Sequence, residues 1–259
     1  MSIVVHADIH PLDQAEFGRI AYRVMDRVFA VHNEMGRYFD EAIYRDAVAR
    51  RVPNSQTEVL IEVRFDDFVK KYYMDLLVDA GAVFELKTVR ALGAAHRSQL
   101  LNYLLLTGQS HGKLINLHPE LVEHEFVNTR LTRADLTAFR VVDHGWKAGD
   151  LKTWLVSLLR DVGAGLDVFL YEAAVTHYCG GEEAVVREIE IFDDGRTLGS
   201  QKVRLAAPGW AVKVTAIDES GVCHFEGHTR RFLDHTKLKG FHWINVTREV
   251  VSFKSIEKD

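Results

Sequence analysis

Tyr73-Met-Asp75-Leu-Leu-Val78-Asp79-Ala80-Gly81-Ala82-Val-Phe84-Glu85-Leu86-Lys87-Thr88 decides how this chain is read. An apolar run enters Asp79-Ala80-Gly81 and another leaves it. A three-residue loop with Gly at its last position is a common hairpin connection. With that loop, Val78 faces Ala82 and, counting back, Asp75 stands opposite Glu85. Directly opposed residues share a face, with Cβ atoms roughly 5 Å apart. Alternation adds Lys87 to that face and turns Leu76, Val78, Phe84 and Leu86 the other way, into a core. Two carboxylates that close repel each other and resist burial unless a cation lies between them. A hard divalent ion, Mg²⁺ or Mn²⁺, is the natural partner. An acid followed by Glu-x-Lys also occurs on solvated sheet faces. Here Val83, Phe84 and Leu86 flank the Glu, so the strand reads as central, and charge on a central strand needs a reason.

Working outward, Gln14 to Met35 has helical periodicity, with Phe17, Ile20, Val24, Val28 and Val31 on one stripe and Gly36 as its stop. A second helix is expected over Phe39–Arg51, with Ala42, Ile43, Ala47 and Val48 inward. Pro53-Asn54-Ser55 is a turn. Strands follow at 58–65, 69–78 and 82–89, with Asp66-Asp67 as a turn. Then come a helix over 94–106 closed by Thr107-Gly108, a short strand at 113–117 and another at 125–127. That order describes an α/β unit, a mixed sheet with helices packed against it. Glu41 and Tyr44 share a face of the second helix, and His96, Gln99 and Tyr103 share a face of the later one. Any one of these can be an amphipathic edge. Together with Asp75, Glu85 and Lys87 they outline a site.

The whole chain bounds the reading. It has 259 residues, 47% hydrophobic, enough for one large or two small domains. Its net charge of −5 lacks the basic excess usual for tight non-specific nucleic-acid binding. Cys179 and Cys223 lie far apart without metal-ligand spacing, so buried free thiols in a reducing cytoplasm are expected. The first residues lack the basic and apolar regions of a signal peptide, and no stretch approaches the ~20 apolar residues of a membrane span. There is no Gly-rich phosphate loop and no Gly-x-Ser-x-Gly nucleophile. His224, His228, His235 and His242 have no acidic or thiolate partner at zinc-site spacing.

Residues from about Val28 to Val127 resemble the GxxExxY proteins, a branch of the PD-(D/E)XK nuclease superfamily. The matching pieces are Glu34-Met35-Gly36 with Glu41-Ala-Ile-Tyr44, Asp75-Leu-Leu-Val78, Phe84-Glu85-Leu86-Lys87, His96-x-x-Gln99 through Tyr103, and Lys113-Leu-Ile-Asn116. The chain departs from the motif at its first Gly, where Tyr38 stands. The resemblance implies a restriction-endonuclease-like sheet flanked by helices. It also implies a metal held by Asp75 and Glu85, a further carboxylate from Glu41, a Lys87 that positions or activates water, and a polar contact from Gln99. Tyr44, His96 and Tyr103 would share the site face.

The second half repeats the first at an offset of 126 to 129 residues. Gly163-Ala-Gly-Leu-Asp167 through Tyr171 echoes Gly36-Arg-Tyr-Phe-Asp40 through Tyr44, Glu188 to Asp194 echoes Glu62 to Asp67, and Trp243-Ile-Asn245 echoes Leu114-Ile-Asn116. Where the first half has Glu85, Lys87, Glu41 and Gln99, the second has Lys213, Thr215, Val168 and His228; Asp75 falls on Val203 or a neighbour. We therefore expect a tandem pair: residues 1–145 with the site, and 146–259 as a degenerate copy that packs against the first. His228, Arg230, Arg231, His235, Lys237 and Lys239 form a basic cluster that could face phosphates from one helix. The expected function is a Mg²⁺- or Mn²⁺-dependent nuclease acting on DNA or RNA. The alternative is a catalytically inactive nuclease-fold module that binds nucleic acid or a protein partner.

Overall fold

The computed structural model describes residues 2–258. They form two compact units, residues 2–64 with 69–133, and 65–68 with 134–258. No helix among the described residues is long and apolar enough to cross a membrane. Cys179 is half-buried and Cys223 exposed, so the two thiols are free but less buried than expected.

The first unit runs β1 (Ile3–Val5), α1 (Gln14–Met35), α2 (Glu41–Ala49), β2 (Ser55–Phe65), β3 (Phe68–Val78), β4 (Ala82–Lys87), α3 (Ala94–Thr107), β5 (His111–Asn116) and β6 (Glu123–Asn128). Its sheet follows chain order from β1 to β6. The β4–β5 pair is parallel, which α3 makes possible by carrying the chain back across the sheet. Asp13 and Glu16 form a capping box that starts α1, and Gly36 ends it with its N–H on the His32 carbonyl. The stripe of Phe17, Ile20, Val24, Val28 and Val31 packs with Leu76, Val78, Phe84 and Leu86, the face assigned to the core from alternation.

Two details of the hairpin and of α2 differ from the expectation. Val78 pairs with Ala82 as expected, but Asp79 and Ala80 hold the left-handed backbone, with φ of 48° and 52°. Gly81 serves close approach instead: a Cβ there would come within 2.7 Å of Leu12 Cγ and 2.8 Å of the His10 carbonyl. In α2, Ile43 and Ala42 face outward, and Tyr44 is fully buried with Val48. The ring brings more apolar area than Ile43, and its hydroxyl finds partners: it donates to the Gly36 carbonyl at 2.5 Å and accepts from Phe39 N–H at 3.4 Å. Tyr44→Phe should destabilise the protein by about 1 kcal/mol, the net worth of the hydroxyl's bond to the Gly36 carbonyl. Urea titration monitored by circular dichroism reads this directly; an unchanged midpoint would mean that water satisfies the Gly36 carbonyl.

The second unit contains α4 (Arg133–Thr137), β7 (Arg140–His144), α5 (Leu151–Val162), α6 (Val168–Tyr178), α7 (Glu182–Val185), β8 (Val186–Asp193), β9 (Arg196–Ala207), β10 (Trp210–Thr215), α8 (Glu219–Asp234), β11 (Gly240–Val246) and β12 (Val250–Glu257). Its sheet order is β7-β12-β11-β10-β9-β8. The division falls earlier than residue 145 because Arg140–His144 pairs in parallel with β12. From β8 to β12 the strands follow the same order as β2 to β6, and the parallel pair, β10 with β11, holds the same place. The sixth strand differs: β1 lies beside β2, whereas β7 lies beside β12. The Tyr44 bonding recurs here, with Tyr171 donating to the Gly163 carbonyl at 2.8 Å and accepting from Leu166 N–H at 2.9 Å.

Candidate active site

The hairpin β3–β4 presents Asp75, Glu85 and Lys87 on one face. The β4–β5 register puts Val83 beside Gly112 and Lys87 beside Asn116. Leu100 and Leu104 of α3 press on Gly112, where a Cβ would lie 3.0 Å from the nearest methyl, so α3 covers the face that carries the three charged residues. The face is deeply buried: Asp75 is 8%, Glu85 1% and Lys87 8% exposed. Charge buried to that degree must be matched within the protein.

Lys87 supplies the match. Its Nζ lies 2.6 Å from Glu85 Oε1, 3.4 Å from Glu41 Oε1 and 3.9 Å from Asp75 Oδ2. One ammonium thus stands among three carboxylates from two strands and the start of α2. Asp75 is further held by the Leu86 N–H, 2.8 Å from Oδ2, which ties its carboxylate to the neighbouring strand. Burial, then the charge of Asp75, pushes the Glu85 carboxyl up to about 8. Burial also raises Glu41, with Lys87 opposing. Burial works against the Lys87 charge, but Glu85, Asp75 and Glu41 together outweigh it and hold the ammonium above its usual range.

The sequence had called for a cation between Asp75 and Glu85, and in this arrangement the lysine ammonium takes that role. Correspondingly, no three His, Cys, Asp or Glu side chains among the described residues stand in metal-ligating geometry. The donor set nevertheless fits a hard divalent ion. Three acids against one lysine leave the cluster short of positive charge, and the buried Glu85 Oε2 has no hydrogen-bond partner among the described residues.

The other expected site residues divide. Glu41 joins the cluster with its side chain 35% exposed. Tyr38 does not obstruct it: the ring is 82% exposed and lies under the Arg37 guanidinium at 5.4 Å. Gln99 donates its amide to the Tyr103 hydroxyl at 3.1 Å, and Tyr103 is buried edge-on against Tyr72. His96 turns back to accept the Gly93 N–H at 3.0 Å, capping α3. Tyr44, expected on the site face, is instead in the core beneath Gly36. Asn116, which the sequence marked as the end of a matching strand without a role of its own, clamps the chain just past Lys87: it accepts from Val89 N–H at 3.0 Å and donates to the Val89 carbonyl at 2.8 Å. A buried Asn at a strand end is the signal that could have found it.

In the second unit the corresponding strands carry other chemistry. Thr215 donates to Asn245 Oδ1 at 2.7 Å and accepts from Trp243 Nε1 at 2.8 Å. Lys213 Nζ pairs with Glu172 Oε1 at 3.0 Å, and Arg204 shares the same oxygen at 3.3 Å. The basic cluster expected on one helix is split: α8 ends at Asp234, which leaves His235, Lys237 and Lys239 outside it. Asn245 repeats the clamp, bonding the N–H and carbonyl of Ile217 at 2.7 and 2.8 Å.

Residues 18–129 match a family model described as the PD-(D/E)XK nuclease superfamily. The chain therefore carries a domain of that superfamily there, and Glu41, Asp75, Glu85 and Lys87 all fall within it. No curated protein matches the chain. One solved structure, "Crystal structure of SSO0001", is 22% identical with a TM-score of 0.30; the match covers 47% of this chain and 62% of that one.

Proposed function

From a PD-(D/E)XK nuclease superfamily domain at residues 18–129, we propose that this protein is a divalent-metal-dependent nuclease whose site lies in that domain. The observation that carries the reading is the cluster of Asp75, Glu85 and Glu41 around Lys87, with one buried Glu85 oxygen unpartnered among the described residues. Asp75 and Glu85 would hold Mg²⁺ or Mn²⁺, with Glu41 contributing from α2. Such an ion supplies positive charge for the phosphate and acidifies water. With those carboxylates engaged in this way, Lys87 would no longer be held by Glu85. Its ammonium can then donate to a phosphate oxygen or orient the attacking water. The bond to Leu86 N–H keeps Asp75 oriented throughout, and burial strengthens every charge interaction in the site. The ordered motif from Glu41 and Tyr44 to Asn116, with the Tyr44 hydroxyl on Gly36, supports placement in the GxxExxY branch.

The second unit reads as a degenerate copy of the first. The shared strand order, the recurring tyrosine–glycine bond and the recurring asparagine clamp support this. Lys213 in place of Glu85, and Thr215 in place of Lys87, argue that it holds no metal. The rival function, a non-catalytic binding module, draws on one observation: Lys87 already satisfies much of the acidic cluster without a metal.

The test is direct. The purified chain is incubated with single- and double-stranded DNA and RNA in Mg²⁺, in Mn²⁺ and in EDTA. Cleavage with either metal and none in EDTA is expected. No cleavage of any substrate, together with no metal uptake by calorimetry at millimolar concentration, would leave the binding module as the function.

A further inference from the structure

A pocket of about 350 Å³ opens in the second unit between β9, β10 and α8. Three cations line it, Lys202, Arg204 and Lys213, against one carboxylate, Glu172. A single Glu172 oxygen is shared by Lys213 at 3.0 Å and Arg204 at 3.3 Å. Arg204 also reaches Glu182 at 3.5 Å, yet its buried Nε has no hydrogen-bond partner among the described residues. Lys202 is exposed and makes no ion pair among them. Beside these cations Phe225 and Phe232 line the wall, both half-buried. The charge is the reverse of the first unit, where acids outnumber the lysine.

We propose that this pocket binds the phosphate of a nucleotide, with Lys202, Arg204 and Lys213 on the phosphate and Phe225 or Phe232 against the base. Excess positive charge with an unsatisfied guanidinium nitrogen calls for an oxyanion, and a guanidinium fork suits phosphate oxygens. Cations beside aromatic rings are the combination that holds unpaired nucleotides, phosphate and base face together. The volume lies at the lower end for small-ligand pockets and suits one nucleotide unit. The proposal rests on the nuclease reading only for taking a nucleic-acid strand, more than a free nucleotide, as the source of that phosphate.

The test uses the full-length chain in EDTA, so that cleavage plays no part. Fluorescence anisotropy with a labelled oligothymidylate, over a salt series, gives affinity and its salt slope. Lys202→Glu and Lys213→Met should each weaken binding about tenfold and shrink the slope by about one phosphate contact. Lys237→Glu, a cation outside the pocket lining, should do neither. Competition with thymidine monophosphate separates the sources. Weak competition identifies a strand, and competition as strong as that of the unlabelled oligomer identifies a free nucleotide; both support the pocket. Wild-type affinity and slope in both variants would overturn it, as would no binding by the wild type. If Lys213→Met does not fold, Lys202→Glu decides alone, because its side chain is exposed and holds no ion pair. Binding that depends on Lys202 in a protein that cleaves nothing would refute the nuclease and keep the pocket. Cleavage with pocket variants indistinguishable from wild type would do the reverse.

Discussion

Asp75→Ala and Glu85→Ala are each expected to lower metal-dependent cleavage by about a thousandfold or more, the scale of losing one preorganised charge at a transition state. Lys87→Met separates the roles within the cluster. It removes the ammonium that competes with a metal for Glu85 and Asp75. Mn²⁺ should therefore bind Lys87→Met at least as tightly as wild type, while cleavage falls by about a hundredfold, the usual worth of one proton-handling or water-orienting group. In EDTA the same variant should melt at a lower temperature, because Asp75 loses its counter-ion and Glu85 its hydrogen-bond partner, and Mn²⁺ should restore it. Calorimetry, a cleavage time course and thermal melts read the three effects on one preparation. A Lys87→Met protein that cleaves at the wild-type rate would reduce Lys87 to a structural counter-ion.

Metal uptake should release a proton, and the sign follows from Glu85. Burial and Asp75 push this carboxyl up to about 8, so the metal-free site is protonated at pH 7. A ligand carboxylate must be ionised, so apparent affinity should rise about tenfold per pH unit up to about pH 8 and then level off. Titrations in two buffers of different ionisation enthalpy should show close to one proton released per metal at pH 7 and almost none at pH 9. Glu85→Gln should abolish the release. Stability follows the same linkage. The folded-state value lies above the unfolded one, so this group's contribution is present below the ordinary carboxylate range and lost as pH rises through about 8. The metal-free protein should therefore lose melting temperature between pH 6 and pH 8.5, and Mn²⁺ should return most of the loss at the higher pH. A titration with no proton release at pH 7 would mean that Lys87 keeps Glu85 ionised without metal.

Much of the first unit follows from local pattern alone. The α1 stripe, the closing glycines and the two-residue turn at Asp66 each rest on a periodicity or a backbone preference that the chain carries within a few residues. Loop length set the hairpin register, and the register set which side chains share a face, so Asp75, Glu85 and Lys87 were legible together. The short edge strands were not. Three residues at Ile3–Val5 and five at Arg140–His144 are too few for a pattern, and they become strands only because β2 and β12 offer unpaired edges.

Helix rotation was the other blind spot. Glu41 and Tyr44 share a face on a helical count, yet Glu41 reaches Lys87 while Tyr44 is buried under Gly36. The roll of α2 is decided by which side chain the core can both cover and hydrogen-bond, and that depends on where α1 ends. Likewise the pairing of Lys213 with Glu172, and the pocket beside it, joins residues far apart in the chain that only the docking of α6 and α8 on the sheet brings together. The sequence by itself determined which strands carry charge and which face is apolar, because alternation and loop length are local. Only the tertiary structure decided that a lysine stands where a cation was required, because the position of an ammonium at the end of a long flexible chain depends on every charge that surrounds it.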